Sequence, residues 1–348
     1  MKISGILPFD QWPVRDRTMW AHLTTARDIF DDAGALSHLS ERSLRHFRAT
    51  YGQWLCWLQS HDGAVLDLPP TRRATPDRLK LWLQSLAHTR LITQRNCITV
   101  ILRILQAAEP KADWTLQNRL RTHLHRVAGT DGSDRKRGRI LSSRVLLDTG
   151  MREATETAEA ATTELSTMKA RRDGALIAFL ALLPIRRRAL AGLELGVSLL
   201  RAGDWLHVAL PPELTKTGQP WDAQVPDALT PLMLTYLDHV RPWFLARGGM
   251  QTDIVWVMDN GRPFDPNYLG TKIRKITQRL TGVPISPHLF RDAGATTLVR
   301  DAPGSARLVR GLLGHSDFRT AERHYIHATG IDAGRSHAAV VQNLQKGR

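Results

Sequence analysis

The chain has 348 residues, 42% hydrophobic and 23% charged, which is the composition of a folded globular protein with room for two domains. Its 48 lysines and arginines against 33 aspartates and glutamates give a formal net charge of +15, which favours a polyanionic partner such as nucleic acid. The two cysteines, Cys56 and Cys97, form no CxxC pair, so the sequence argues against a disulfide framework or structural zinc site and fits a reducing cytosol.

The N-terminus does not fit a signal peptide, because its short apolar run is interrupted by Pro8 and Asp10. The most apolar stretch, residues 175–185, is too short to span a bilayer and leads into three arginines. We therefore expect no membrane association and a cytoplasmic location.

The first third of the chain predicts a bundle of four or five helices over residues 15–128. Apolar residues recur at helical spacing over residues 17–31, 41–58, 76–86, 93–109 and 114–125. Ser40 is a good N-cap for the second of these helices. Thr75 and Pro76 give the third a capping residue followed by a first-turn proline.

Residues 129–140 predict a basic linker. Glycine, serine and aspartate in this stretch disfavour helix, and residues 129–139 hold no apolar side chain that could anchor it. A solvated linker would explain this composition by itself. Given the net charge, we expect its basic residues to contact the DNA backbone: Arg135, Lys136, Arg137 and Arg139.

The remainder, residues 141–348, predicts a mixed domain. Helices are expected over 143–170, 171–183, 267–281 and from Pro287 onward, with breaks near Gly304 and Gly314. Residues 205–210 alternate polar and apolar and return over 221–225, which predicts a β-hairpin with Lys216 near its tip. Residues 254–258 predict another short strand. The predicted fold class is mostly α with a small β component.

The end of the chain combines groups that can attack a phosphodiester without a metal. His288 and Arg291 are three residues apart at a predicted helix start, where a phosphate would meet an imidazole, a guanidinium and unpaired backbone N–H groups. His315 follows in LGH, and Tyr325 lies ten residues beyond it. Tyrosine is a nucleophile, guanidinium holds charge, and imidazole moves protons. His324 and His327 flank the tyrosine, but without an acidic or cysteine cluster nearby we expect no metal.

With Arg186 and Lys216 upstream, this set resembles the tyrosine recombinase (phage integrase) family, whose pattern is Arg…Lys…His-x-x-Arg…His…Tyr. The family's LGH and YxHA signatures match residues 313–315 and 325–328. Three adjacent arginines leave the register of the first one open, and Arg186 aligns best. Ala189 stands where the family usually has glutamate, so the support of that carboxylate is missing or is supplied elsewhere.

The resemblance implies a mechanism without metal or cofactor. Tyr325 would attack the scissile phosphate, forming a 3′-phosphotyrosine link and a free 5′-hydroxyl, while Arg186 and Arg291 hold the non-bridging oxygens. Lys216 would protonate the leaving 5′-oxygen. His288 and His315 would hydrogen-bond the phosphate and assist proton transfer.

The two arginines that follow Arg186 are expected to contact the phosphate backbone, although a solvated helix end explains them equally well: Arg187 and Arg188. The resemblance also implies a SAM-like core-binding domain at residues 15–128 and a catalytic domain with a tail helix at 141–348. Its partner would be double-stranded DNA carrying specific sites, bound by a homo-tetramer, with accessory DNA-bending or directionality proteins possible.

Integration or excision of a mobile element fits the motifs better than chromosome-dimer resolution. Two other functions stay open at this point. A type IB topoisomerase shares the chemistry but acts alone, and a non-catalytic DNA-binding protein could retain the fold.

Overall fold

The computed structural model describes residues 5–26, 33–130, 140–301 and 311. The chain forms two compact units, Met1–Arg135 and Lys136–Arg348. The predicted mostly helical class with a small β component is confirmed. Within the described residues, no helix has the length and apolarity needed to cross a bilayer.

The first unit is helical. Its helices are α1 (Val14–Thr24), α2 (Glu41–His61), α3 (Pro70–Arg73), α4 (Pro76–Ser85), α5 (Leu91–Ala108) and α6 (Thr115–Thr130). Both predicted caps are confirmed, since the Ser40 hydroxyl accepts from the Ser43 amide and the Thr75 hydroxyl from the Arg78 amide, each at 3.3 Å. The core is rich in indole rings, with Trp54 and Trp82 in edge contact at 5.0 Å between centroids.

Two predicted boundaries in this unit are wrong. Helix α1 starts earlier, at Val14, because Pro13 precedes it, and it ends at Thr24 rather than near residue 31. Helix α6 continues to Thr130 rather than ending near residue 125, and Ala128 within this extension is 2% exposed. The four basic residues predicted on the linker lie outside the described residues.

A buried ionic cluster joins α1, α2 and α3. Arg73, with its side chain fully buried, donates through Nη1 to both carboxylate oxygens of Asp16 at 2.9 Å. Its other nitrogens donate to the carbonyls of Leu66 and Leu68 at 2.8 and 2.9 Å. The Tyr51 hydroxyl donates to Asp16 at 2.6 Å. Burial, then the Asp16 charge, holds the pKa of Tyr51 well above its ordinary value.

The second unit combines helices with one small sheet. Its helices are α7 (Ser143–Arg152), α8 (Glu164–Leu182), α9 (Arg187–Ala191), α10 (Thr230–Thr235), α11 (Arg241–Gly248), α12 (Pro266–Thr281) and α13 (Pro287–Asp301). Two π-helical turns, Glu153–Thr157 and Tyr236–Val240, follow α7 and α10 directly. The strands β1 (Leu199–Ala202), β2 (Trp205–Leu210) and β3 (Trp221–Gln224) form an antiparallel sheet in the order β1-β2-β3.

The predicted hairpin is confirmed, with Leu210 paired to Trp221 at its base. The predicted helix over 143–170 is wrong, because the chain breaks before Thr163, whose side chain forms a capping box with Ser166 at the start of α8. Residues 254–258 form isolated bridges rather than a strand, pairing Ile254 with Glu194 and Val257 with Pro263. Strand β1 and helices α9, α10 and α11 were not predicted.

Helices α7 and α8 cross in close contact at two glycines. A Cβ added to Gly174 would lie 2.5 Å from the Ala154 amide nitrogen and from the Gly150 carbonyl oxygen. A Cβ added to Gly150 would lie 2.6 Å from the backbone nitrogen of Ala178. Backbone cannot yield as a flexible side chain would, so the absence of side chains sets this helix spacing.

Gly174→Ala will therefore destabilise the second unit by about 1–3 kcal/mol, as overpacking does in a dense core. The control is Gly129→Ala on α6, because a Cβ there meets nothing within 4 Å. That substitution will be neutral or stabilising by up to about 1 kcal/mol, since alanine favours helix. Urea unfolding followed by hydrogen exchange in each unit measures both. Equal effects of the two substitutions would contradict the account.

A buried arginine links α8 to the turn after residue 258. Arg172, fully buried, donates to Asp173 at 2.9 Å and to Asp259 at 2.7 Å. Its guanidinium carbon also lies 4.8 Å from the ring centroid of Phe244. Lys272 on α12 pairs with Asp173 at 2.8 Å. These ion pairs hold α12 and the turn after residue 258 against α8.

Candidate active site

Arg186 lies in a short connection between two helices. Helix α8 ends at Leu182, Pro184 and Ile185 are buried, and Arg186 is the residue before α9. Its guanidinium is half-buried, and burial lowers its pKa. No Asp or Glu side chain among the described residues forms an ion pair with Arg186. A desolvated cation of this kind favours the approach of an anion.

Arg291 reaches the same connection from α13. It is 5% exposed, and its Nη1 donates to the Pro184 carbonyl at 2.7 Å. Burial, and then the charge of Arg186, lower the pKa of Arg291 to about 10, while the Asp292 carboxylate opposes the shift. Both guanidiniums stay protonated at neutral pH, so two mutually repelling cations are held close together.

The other two arginines of the run have different surroundings. The stem of Arg187 crosses α12 at Gly270, where an added Cβ would lie 2.8 Å from its Cδ. Arg188 is exposed. Of the three adjacent arginines, Arg186 is therefore the one whose charge acts on Arg291.

His288 and Arg291 share α13 but differ in exposure. His288 lies in the first turn and is exposed, whereas Arg291 is buried one turn later. The helix begins at the buried Pro287, and the Leu289 amide donates to the Ser286 carbonyl at 2.8 Å. The imidazole thus lies at the surface end of the helix that carries the buried guanidinium.

Lys216 lies in the β2–β3 connection and is exposed. Before it, residues Pro212–Leu214 form a 3₁₀ turn, and after it Gly218 adopts a φ of +67°. The Leu214 side chain packs on Gly192, directly after α9, where an added Cβ would lie 2.9 Å from it. The lysine-bearing connection is thereby anchored at the far end of the helix that Arg186 precedes.

The structure thus brings Arg186 and Arg291 together. It places Lys216 on a connection packed against the end of α9 and His288 on the helix of Arg291. The predicted His315 and Tyr325 lie outside the described residues. Within those that are described, no cluster of three or more potential metal ligands occurs.

The model of the phage integrase family matches residues 152–330, which is more than half of the chain. The chain belongs to the phage integrase family. The matched span begins at the end of α7 and includes the connection of Arg186, the β-hairpin and the start of α13.

Solved structures share its fold. The XerH site-specific recombinase, bound to a palindromic difH substrate in a post-cleavage complex, is 14% identical with a TM-score of 0.56, over 86% of this chain and 79% of that one. The Tn1549 transposon integrase in complex with transposon right end DNA is 12% identical with a TM-score of 0.55, over 88% and 96%. The same integrase in complex with circular intermediate DNA is 14% identical with a TM-score of 0.54, over 86% of this chain and 94% of that one. No curated protein matched.

Three features of this family member were not predicted from sequence: the Pro184 carbonyl that Arg291 binds, the Asp292 carboxylate that acts on Arg291, and Trp221 at the hairpin base. Ala189, which stands where the family pattern in the sequence analysis has a glutamate, is buried in the core. A carboxylate next to the arginine in sequence is a signal that could have identified Asp292. The backbone acceptor leaves no side-chain signal.

Proposed function

We propose that the chain is a site-specific DNA recombinase that cuts and rejoins strands through a 3′-phosphotyrosine intermediate. The single observation that carries the proposal is the pair of desolvated guanidiniums, Arg186 and Arg291, in a member of the phage integrase family. Two forked cations suit the two non-bridging oxygens of one phosphate, and their mutual repulsion is relieved when that anion binds.

The reaction exchanges one phosphodiester for another. The Tyr325 oxygen forms a bond to phosphorus as the bond from phosphorus to the 5′-oxygen breaks. The tyrosine proton leaves with help from His288 and His315, and the Lys216 ammonium gives a proton to the departing 5′-oxygen. Arg186 and Arg291 stabilise the added charge of the pentavalent transition state. Because the bond types made and broken are alike, neither ATP nor a metal is needed.

The DNA-binding surface extends beyond the catalytic set. The first unit is proposed as the core-binding domain, and the linker as a phosphate contact through Arg135, Lys136, Arg137 and Arg139. Arg188 is exposed and Arg187 lies beside it at the start of α9, which suits contacts to the backbone next to the scissile phosphate. The net charge of +15 supports a binding term that weakens with added salt.

Assembly and biological role are proposed by analogy with the structural neighbours, two of which are transposon integrase complexes with transposon or circular-intermediate DNA. We propose a homo-tetramer on two duplexes that integrates or excises a mobile element in the bacterial cytoplasm. Accessory DNA-bending or directionality proteins would assist it, and the tail after residue 330 would dock on a neighbouring protomer.

Covalent trapping tests the proposal. The protein is mixed with nicked duplexes carrying the ends of its encoding element, denatured in SDS and examined for a protein–DNA adduct. We expect an adduct with the wild-type chain and none with Tyr325→Phe. Tyr268→Phe is the matched control, because Tyr268 is 52% exposed on α12 and outside the catalytic set, and it should form the adduct normally.

The other functions give different results. A type IB topoisomerase would form the adduct and relax supercoils but would not transfer strands between two marked duplexes. A non-catalytic DNA-binding protein would bind the same DNA tightly without any adduct, and that outcome would contradict the proposal.

A further inference from the structure

Lys216 lies on the connection between strands β2 and β3. The ten residues between Leu210 and Trp221 contain one 3₁₀ turn and a glycine at positive φ, and the lysine itself is exposed. The Leu214 side chain anchors the first half on Gly192. The second half, residues 217–220, leads directly into Trp221. The position of Trp221 therefore sets the position of the end of that segment.

Trp221 is held by core packing and by a hydrogen bond from the edge of its ring. Its ring is partly buried against the hydrophobic core of the second unit. Its Nε1–H donates a 2.7 Å hydrogen bond to the carbonyl of Gly311, which is 90 residues away in sequence. A half-buried indole with a satisfied N–H has a fixed orientation, unlike a ring that only fills space. The base of the connection is therefore fixed to a distant part of the unit.

We propose that Trp221 is a positioning residue for Lys216, acting through the hydrogen bond from its indole N–H to the Gly311 carbonyl. This inference rests on the proposed function, since it assigns Lys216 the proton transfer to the 5′-oxygen. A general acid must come within hydrogen-bond reach of the leaving oxygen, and displacements near 1 Å lower rates strongly. Loss of the bond would leave the Leu210–Trp221 pairing and the packing of the ring in place, but would free the ring edge and loosen residues 217–220 before it.

The proton transfer can be tested separately from the rest of the reaction. When sulfur replaces the bridging 5′-oxygen, the departing group is a thiolate, which is stable without a proton because thiols are far more acidic than alcohols. The tyrosine–phosphorus bond still forms and the phosphorus–sulfur bond breaks, but the Lys216 proton is not required. A defect that acts through Lys216 should therefore disappear on this substrate.

The experiment compares Trp221→Phe with wild type in single-turnover cleavage of ordinary and 5′-phosphorothiolate duplexes. Phenylalanine keeps an aromatic ring and removes the N–H donor. We expect about tenfold slower cleavage of the ordinary duplex, which corresponds to the loss of one hydrogen bond, wild-type cleavage of the sulfur duplex, and unchanged DNA binding. Lys216→Ala should show the same pattern with a larger defect.

The matched control is Trp205→Phe, because Trp205 also lies in the sheet, is 44% exposed and stacks on His207. It should cleave both duplexes at the wild-type rate. Equal slowing of Trp221→Phe on both substrates would overturn the proposal, because the residue would then act on the fold or on another group. An unchanged rate on the ordinary duplex would overturn it as well.

Hydrogen exchange separates this inference from the proposed function. Peptides covering residues 211–220 should exchange faster in Trp221→Phe than in wild type or Trp205→Phe. Unchanged exchange would refute the anchoring even if wild type cleaves DNA. If wild type cleaves neither duplex, the proposed function fails and the catalytic role of Trp221 with it, whatever the exchange result.

Discussion

Arg186→Gln will slow strand cleavage by about 10²–10³-fold, the effect of removing one preorganised donor from a developing charge. The substitution will not lower the stability of the folded state, because it removes a cation that repels Arg291. With that repulsion gone, the pKa of Arg291 will rise from its lowered value of about 10 towards the ordinary range. Single-turnover cleavage and thermal unfolding of the same variant measure the two effects.

Arg188→Gln is the matched control. It removes the same charge from Arg188, which is exposed and lies two residues after Arg186. It will weaken DNA binding and its salt dependence without a comparable loss of cleavage in the bound complex. Arg186→Lys keeps the charge but loses the fork, and should recover only a minor part of the activity. Cleavage by Arg186→Gln at the wild-type rate would remove Arg186 from the catalytic set.

Arg73→Met will destabilise the first unit by about 3–5 kcal/mol. The substitution leaves the Asp16 carboxylate buried without its cation, and it removes donors from the carbonyls of Leu66 and Leu68. Arg72→Met is the control, because the neighbouring Arg72 is exposed and should change stability by less than about 0.5 kcal/mol. Urea unfolding monitored by hydrogen exchange of α2 measures both.

The double variant Asp16→Leu with Arg73→Met tests the physical reason. Removing both charges avoids the uncompensated carboxylate, so its destabilisation should be smaller than the sum of the two single substitutions. The Tyr51 hydroxyl loses its acceptor in this variant, which limits the recovery. Additive effects would mean that the three side chains contribute separately, contrary to the buried cluster described above.

Local signals in the sequence predicted local structure well. Ser40 and Thr75 cap their helices because capping depends on residues within one turn, and the β2–β3 hairpin follows from alternation within ten residues. The end of α6 was wrong for a related reason. Gly129 is a local helix-breaking signal, but the helix runs through it to Thr130, and the preceding Ala128 is buried.

Distant contacts also explain what the sequence did not predict at the site. Arg172 and Asp173 are charged residues within a helix, yet both are buried, and Asp259 and Lys272 pair with them from far along the chain. The approach of Arg291 to Arg186 was expected from the family pattern alone. Its donation to the Pro184 carbonyl has no counterpart in any sequence pattern.

The two π-helical turns have a consequence for comparing this chain with its relatives. Each turn holds one more residue than an α-helical turn, so the helix after it is rotated by about 100° relative to an uninterrupted one. Tyr236, at the start of the second turn, is buried and donates from its hydroxyl to the Val255 carbonyl at 2.8 Å. For a relative without these turns, a sequence alignment that places no gap at 153–157 or 236–240 would equate inward-facing with outward-facing residues. Ancestry in this part of the molecule is better traced by superposed backbones.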